Sequence, residues 1–244
     1  MRADGRRPEE LREYTITPGF IGQALGSALI TAGATRVICT ANLEPQTPKW
    51  LKSGGWVTAE YAMLPGATRP RGRRDPGGRG KEIQRLIGRS LRACVDLSKL
   101  VGVDGPMSLV CDCDVIEADG GTRTASITGA YVALAIALRR LQAKGLLRES
   151  PLKAPVAAVS VGMVAVGEPP TVQAVLDLPY HEDSRAAVDL NVVMLGSGGF
   201  VEVQGTGEDG VFSRPELGRM LDLAEAGCRR LFALQAEVLE GADA

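Results

Sequence analysis

The short run Asp119-Gly120-Gly121-Thr122-Arg123 stands between two apolar stretches of different periodicity, and this junction constrains the fold more than any other feature. Before it, Met107, Leu109, Cys111, Cys113 and Val115 recur at every second position, the period of a strand with one buried face. After it, Thr124 to Ala143 is strongly apolar and stops at Gly145, the pattern of a buried helix. The chain must therefore turn from a strand through two glycines directly into a helix that lies inside the molecule.

The remaining segments sort around that junction. Gly26–Ala32 and Thr35–Ala41 read as strands flanking a hairpin-like break at Gly33-Ala34, and Trp56–Leu64 as a further strand. Pro65–Gly80, rich in Gly, Pro and Arg, predicts an exposed loop. From Lys81 to Leu97, Ile83, Leu86, Ile87, Leu91 and Cys94 form one helical stripe, with Arg85, Arg89 and Arg92 on a neighbouring face. The second part repeats the order: strands at Val156–Val166, Thr171–Leu178, Ala187–Leu195 and Phe200–Gln204 precede a helix with Pro215 in its first turn, running to about Leu239. Strands followed by helices in each half predict an α+β sandwich with pseudo-duplicated halves, read as a single domain over residues 1–244.

Composition narrows the class. Apolar residues are 45% and charged residues 23% of the chain, ordinary for a globular protein. The longest apolar stretch, around Ala130–Leu138, is too short to span a bilayer, and no secretory signal is visible behind Met1. No membrane association and a cytoplasmic location are the expectation. The five cysteines (39, 94, 111, 113 and 228) are odd in number and scattered, which suits free thiols in a reducing compartment. Cys111 and Cys113 have no second pair nearby to complete a metal shell and are expected in the core. A net charge of −1 gives no general attraction to anions, yet Arg69–Arg92 holds nine Lys or Arg against Asp75 and Glu82. One anion-binding face follows.

Three groups of residues carry chemistry. In Gly120-Gly121-Thr122-Arg123-Thr124 the glycines admit close approach, the unpaired N–H groups of a helix start attract anions, and Arg123 offers a bidentate fork. A plain turn with a Thr cap and a surface Arg is the alternative. GxxxxGK[ST] is absent, so nucleoside triphosphate hydrolysis is unsupported. Arg79 is a second guanidinium source, or else part of a solvated loop. Two unit negative charges about 4 Å apart repel by roughly 4 kcal/mol at an effective dielectric near 20, so drawing phosphate to a phosphodiester favours two arginines over one. The third group is acidic: Asp183 and Asp189 lie before and within an expected strand, sharing a face if the segment is extended. Such a pair holds Mg²⁺ or protonates a leaving oxygen, although Glu-Asp-Ser is also ordinary turn composition. His181, the only histidine, belongs to no nucleophilic triad and is expected to be structural. The Thr35/Arg36 hairpin, Trp50 and Trp56 are expected in packing or interfaces.

Several segments together resemble the ribonuclease PH family: Trp56-Val-Thr-Ala-Glu-Tyr61, Glu82-Ile-Gln-Arg-Leu-Ile-Gly-Arg89, Ala118-Asp-Gly-Gly-Thr-Arg-Thr-Ala-Ser-Ile-Thr-Gly-Ala130, Glu182-Asp-Ser184, Asp189-Leu-Asn-Val-Val-Met194 and Val201-Glu-Val-Gln-Gly-Thr206. The resemblance runs in order from Arg2 to the last helix. It implies a two-layer sandwich related to ribosomal-protein and exosome-ring folds, with a left-handed βαβ crossover, and a homo-hexamer built as a trimer of dimers. It further implies phosphorolysis, with inorganic phosphate as co-substrate, of the 3′ ends of tRNA precursors. Residue by residue, Arg79, Gly121, Thr122 and Arg123 match the phosphate-binding positions, and Asp183 and Asp189 the pair proposed for Mg²⁺ and catalysis. Arg69, Arg71, Arg73 and Arg74 resemble the stretch that holds tRNA, in a loop that is shorter here and richer in Gly and Pro. A hydrolytic nuclease would need no Arg-lined anion pocket. A catalytically silent ring subunit would lack part of the set.

Overall fold

The computed structural model describes residues 2–74, 77–207 and 210–242. Its first half contains β1 (Tyr14–Pro18), β2 (Gly26–Ala32), β3 (Thr35–Leu43), β4 (Trp56–Met63), α1 (Gly77–Ala93), the short pair β5 (Val101–Gly102) and β6 (Gly105–Pro106), β7 (Ser108–Glu117) and α2 (Thr122–Ala143). The second half contains β8 (Val156–Val166), β9 (Thr171–Leu176), α3 (Tyr180–Asp183), β10 (Val188–Leu195), β11 (Phe200–Gly207) and α4 (Arg214–Gly241).

Five strands form the first sheet in the order β1-β2-β3-β7-β4, antiparallel except for β4 beside β7, which is parallel. The parallel pair requires a crossover, and α1 supplies it while packing on β4. The second sheet, β11-β10-β8-β9, is antiparallel throughout. Helix α2 packs against β2 and β3 and also against β8, so it is buried along most of its length. Gly129 makes the first contact possible, since a Cβ there would stand 2.7 Å from Ile30 and 2.9 Å from Cys39. On the β8 side the Thr128 hydroxyl accepts from the Ala158 N–H at 3.1 Å. From α4, buried Gln235 donates to the carbonyls of Thr128 and Val156, tying three elements together. One apolar cluster runs through both halves, joining Ile30, Leu109 and Leu134 to Val156 and Val193. The α+β sandwich expected from the sequence is thus present. All five cysteines are buried free thiols, with Cys39, Cys111 and Cys113 in that cluster.

Several boundaries differ from the sequence expectations, and those around the site matter most. Pro65–Gly80 is not wholly irregular: a 3₁₀ turn with Pro65 and Ala67 buried occupies Pro65–Ala67, and α1 begins at Gly77 and ends at Ala93. Residues 75 and 76 of that stretch lie outside the described residues. Helix α2 begins at Thr122, so Thr122 and Arg123 form its first turn. Strand β9 stops at Leu176 because Asp177 takes a φ of 55°, which breaks the extended run. The segment carrying Asp183 is a helical turn, α3, so the extended geometry assumed for Asp183 and Asp189 does not occur.

Candidate active site

The sequence-predicted groups nevertheless meet. Arg79 from the first turn of α1, Gly120 to Arg123 at the start of α2, Asp183 at the end of α3 and Asp189 on β10 all line one cleft of about 520 Å³. Met63, Ala118, Ser160, Tyr180 and Asn191 complete much of its wall, and Arg69 and Pro70 bring the Arg-rich loop to its edge. Arg71, Arg73 and Arg74 are exposed and are not among the lining residues. His181 is exposed and also lies outside the lining.

The start of α2 is shaped for close approach. Gly121 is the N-cap residue with a φ of 66°, and among the described residues no side chain caps the helix. Its first-turn N–H groups are therefore available to an anion. Gly120 lies so close to the α3 approach that a Cβ would fall 2.6 Å from the Leu178 carbonyl oxygen. Two hydroxyls meet next to this turn, with Tyr61 Oη 2.9 Å from Thr122 Oγ1. Burial raises the Tyr61 pKa, opposed by the hydrogen bond with Thr122 and by the charges of Arg79 and Arg123. Both guanidinium groups thus act on the same corner.

Arg123 is oriented by neighbouring side chains. It donates to Gln204 Oε1 at 3.0 Å, and Gln204 donates to Glu82 Oε1 at 3.0 Å. Glu82 itself lies 3.6 Å from Arg123. The Gln204 hydrogen bond, and then the charges of Arg123, Arg79 and Arg85, outweigh desolvation and hold the Glu82 carboxyl below its usual pKa. Glu82 offsets part of the Arg123 charge, and Arg79 lines the same cleft as a second guanidinium. Two further α1 arginines are engaged elsewhere: Arg89 pairs with Glu202 at 2.8 Å, and Arg92 donates to the Val57 carbonyl and covers the Trp56 ring.

A brace that sequence reading did not anticipate joins the anion-binding turn to the acidic arm. Asp177 is fully buried and accepts from Arg12 N, Nε and Nη2 at 2.8, 3.0 and 2.7 Å, and from Tyr14 Oη at 3.1 Å. Arg12 also donates to the Asp119 carbonyl at 2.5 Å, and Asp119 Oδ1 accepts from the Tyr180 N–H at 3.2 Å. Thr35, expected only to pack, donates to the Gly120 carbonyl at 2.7 Å and accepts from the Asp119 N–H at 2.8 Å. Arg2 pairs with Glu182 at 2.5 Å, next to Asp183, while donating to the carbonyls of Leu176 and Asp177. These partners are between 61 and 180 residues apart in the chain, and only the presence of Asp177 in the acidic run and Arg2 in the opening segment hinted at them.

Comparisons with known proteins identify the family. Residues 10–139 match the model of the 3′ exoribonuclease family, domain 1, and residues 154–227 match domain 2 of the same family. Ribonuclease PH of Corynebacterium glutamicum is 55% identical, covering 98% of this chain and 96% of that protein. Ribonuclease PH of Bacillus velezensis is 52% identical, covering 98% and 97%. Among solved structures, rice Rrp46 superposes with a TM-score of 0.77 at 21% identity, covering 98% of this chain and 100% of that one. The Archaeoglobus fulgidus exosome with RNA bound to the active site gives 0.78 at 24%, covering 94% and 91%. Those two likenesses concern the fold, and the family follows from the sequence matches over nearly the whole length. The chain belongs to the 3′ exoribonuclease family, in its ribonuclease PH branch.

Proposed function

We infer that the cleft seats inorganic phosphate beside the terminal linkage of an RNA 3′ end, in a chain whose family makes it a phosphorolytic 3′-to-5′ exoribonuclease. The observation that carries this reading is the meeting of Arg79, the Gly121–Arg123 helix start and the Asp183/Asp189 pair in one cleft. Arg79 and Arg123 offset the repulsion between phosphate and phosphodiester, roughly 4 kcal/mol at 4 Å, while the α2 N–H groups orient the nucleophile. A phosphate oxygen attacks the terminal phosphorus. The bond from that phosphorus to the preceding 3′ oxygen breaks, and the oxygen leaves with the electron pair and takes up a proton. The products are a nucleoside diphosphate and an RNA shorter by one nucleotide.

Asp183 and Asp189 place two hard oxygen donors on the cleft wall, which suits Mg²⁺, an ion that takes one or two carboxylates and keeps several waters. When bound, the ion would neutralise charge on the phosphoryl oxygens. One carboxylate of the pair would hold it, and the other, in its protonated form, would supply the proton for the departing oxygen. Arg69, at the cleft edge, with Arg71, Arg73 and Arg74 would contact the RNA backbone. We propose tRNA precursors as substrates, a homo-hexamer arranged as a trimer of dimers, and a cytoplasmic location. These assignments rest on the resemblance to the ribonuclease PH family.

The test is incubation of 3′-extended tRNA with Mg²⁺, with and without phosphate. Nucleoside diphosphates formed only in the presence of phosphate are expected. Monophosphates released without phosphate would instead establish hydrolysis.

A further inference from the structure

Among the four tyrosines, Tyr61 and Tyr131 are buried and Tyr14 turns its hydroxyl onto Asp177, whereas Tyr180 is 64% exposed. Tyr180 lines the cleft it shares with Arg79, Arg123 and Asp183. The residue is firmly rooted. Its N–H donates to Asp119 Oδ1 at 3.2 Å, Pro179 before it is buried, and its carbonyl accepts from the Ser184 N–H at 2.9 Å. Gly120 passes beneath it so closely that a Cβ there would lie 2.8 Å from the Tyr180 nitrogen. A fixed backbone with a solvent-facing aromatic ring, beside cationic side chains, is the arrangement that single-stranded nucleic acid sites use.

We propose that Tyr180 is a stacking platform for a nucleobase of the 3′-terminal dinucleotide of the RNA. The proposal rests on the cleft being the phosphorolytic site. Arginines and helix N–H groups recognise phosphate, and nothing in that set holds a base. An enzyme that removes successive nucleotides must accept each base in turn, and stacking is tolerant of base identity because every base has a π face. Met63, Pro70 and Ala118 give the same cleft an apolar portion suited to a planar ring. Because Tyr180 is exposed, its replacement does not open a hole in the core.

The experiment measures phosphorolysis by wild type, Tyr180→Phe and Tyr180→Ala at saturating phosphate on three RNAs. One is intact, one is abasic at the last nucleotide, and one is abasic at the penultimate nucleotide, each with its ribose hydroxyls retained. On intact RNA, Tyr180→Phe should match wild type, and Tyr180→Ala should raise the KM for RNA on the order of ten-fold. On one of the abasic RNAs that gap should close, which also identifies the base that stacks. A Tyr180→Ala gap that persists on both abasic RNAs, or no gap on intact RNA, would overturn the proposal. Failure of wild type to consume phosphate with intact RNA would instead refute the phosphorolytic reading beneath it.

Discussion

The turn over Asp119–Arg123 and the loop over Thr68–Arg74 both bring arginine to one cleft, but they are built in opposite ways. The turn is held by Thr35, Arg12 and the rising helix α2, and Tyr61 meets its Thr122 hydroxyl. The loop is shaped by short-range bonds, such as Thr68 Oγ1 to the Pro70 carbonyl and the Gly72 N–H to the Pro65 carbonyl, and its arginines are exposed. A small tetrahedral anion needs donors placed to within fractions of an ångström, so its site is braced. A long, repeating polyanion is held by many weak contacts, so its site can remain solvated.

The largest effect is expected at the brace. Asp177→Ala leaves the buried Arg12 guanidinium without its carboxylate and should cost about 3–5 kcal/mol of folding stability, read by denaturant unfolding. Burial raises the Asp177 pKa, but hydrogen bonds and charge from Arg12 outweigh it and hold the carboxyl below 3.8. A folded-state pKa below the unfolded one gives stability that is present above about pH 4 and lost as pH falls through the folded value. The gap between wild type and Asp177→Ala should therefore narrow below about pH 4. A gap independent of pH would remove Asp177 from the brace.

Next comes the turn itself. Arg123→Ala should lower turnover by about 10²–10³-fold, the range for loss of one aimed donor at a developing charge, while RNA binding persists. Unchanged turnover would exclude the residue from the mechanism. Tyr61→Phe removes the partner of the Thr122 hydroxyl, worth about 1 kcal/mol, and should raise the KM for phosphate by roughly five-fold without changing RNA affinity. The smallest effect per residue belongs to the loop. If about four arginines contact RNA phosphates, log affinity against log salt should have a slope of roughly −3, and each loss of Arg71, Arg73 or Arg74 should flatten it by about 0.7–0.9. A salt-independent affinity would contradict the assignment.

The same contrast explains what could be read from the sequence. The strand–glycine–helix junction was legible because Met107 to Val115 alternates and Thr124 to Ala143 is continuously apolar. The first turn of α1 was not: Gly77, Gly78 and Gly80 carry a loop composition, and only their position ahead of the Ile83–Leu91 stripe makes them helical. Strand β1 escaped because Tyr-Thr-Ile-Thr-Pro is a short edge strand ending in proline. Helix α3 is one turn long and has no periodicity to detect. The brace of Arg2, Arg12, Asp177 and Glu182 left no local pattern, since its charges find one another only after the halves have packed.

The central claim is tested most directly by the KM for inorganic phosphate, measured on an RNA too short to reach the loop. Arg123→Ala should abolish phosphate saturation in the accessible range, while Arg71, Arg73 and Arg74 replaced together by Ala should keep the wild-type value. Retained phosphate affinity in the turn variant, or its loss in the loop variant, would contradict the account.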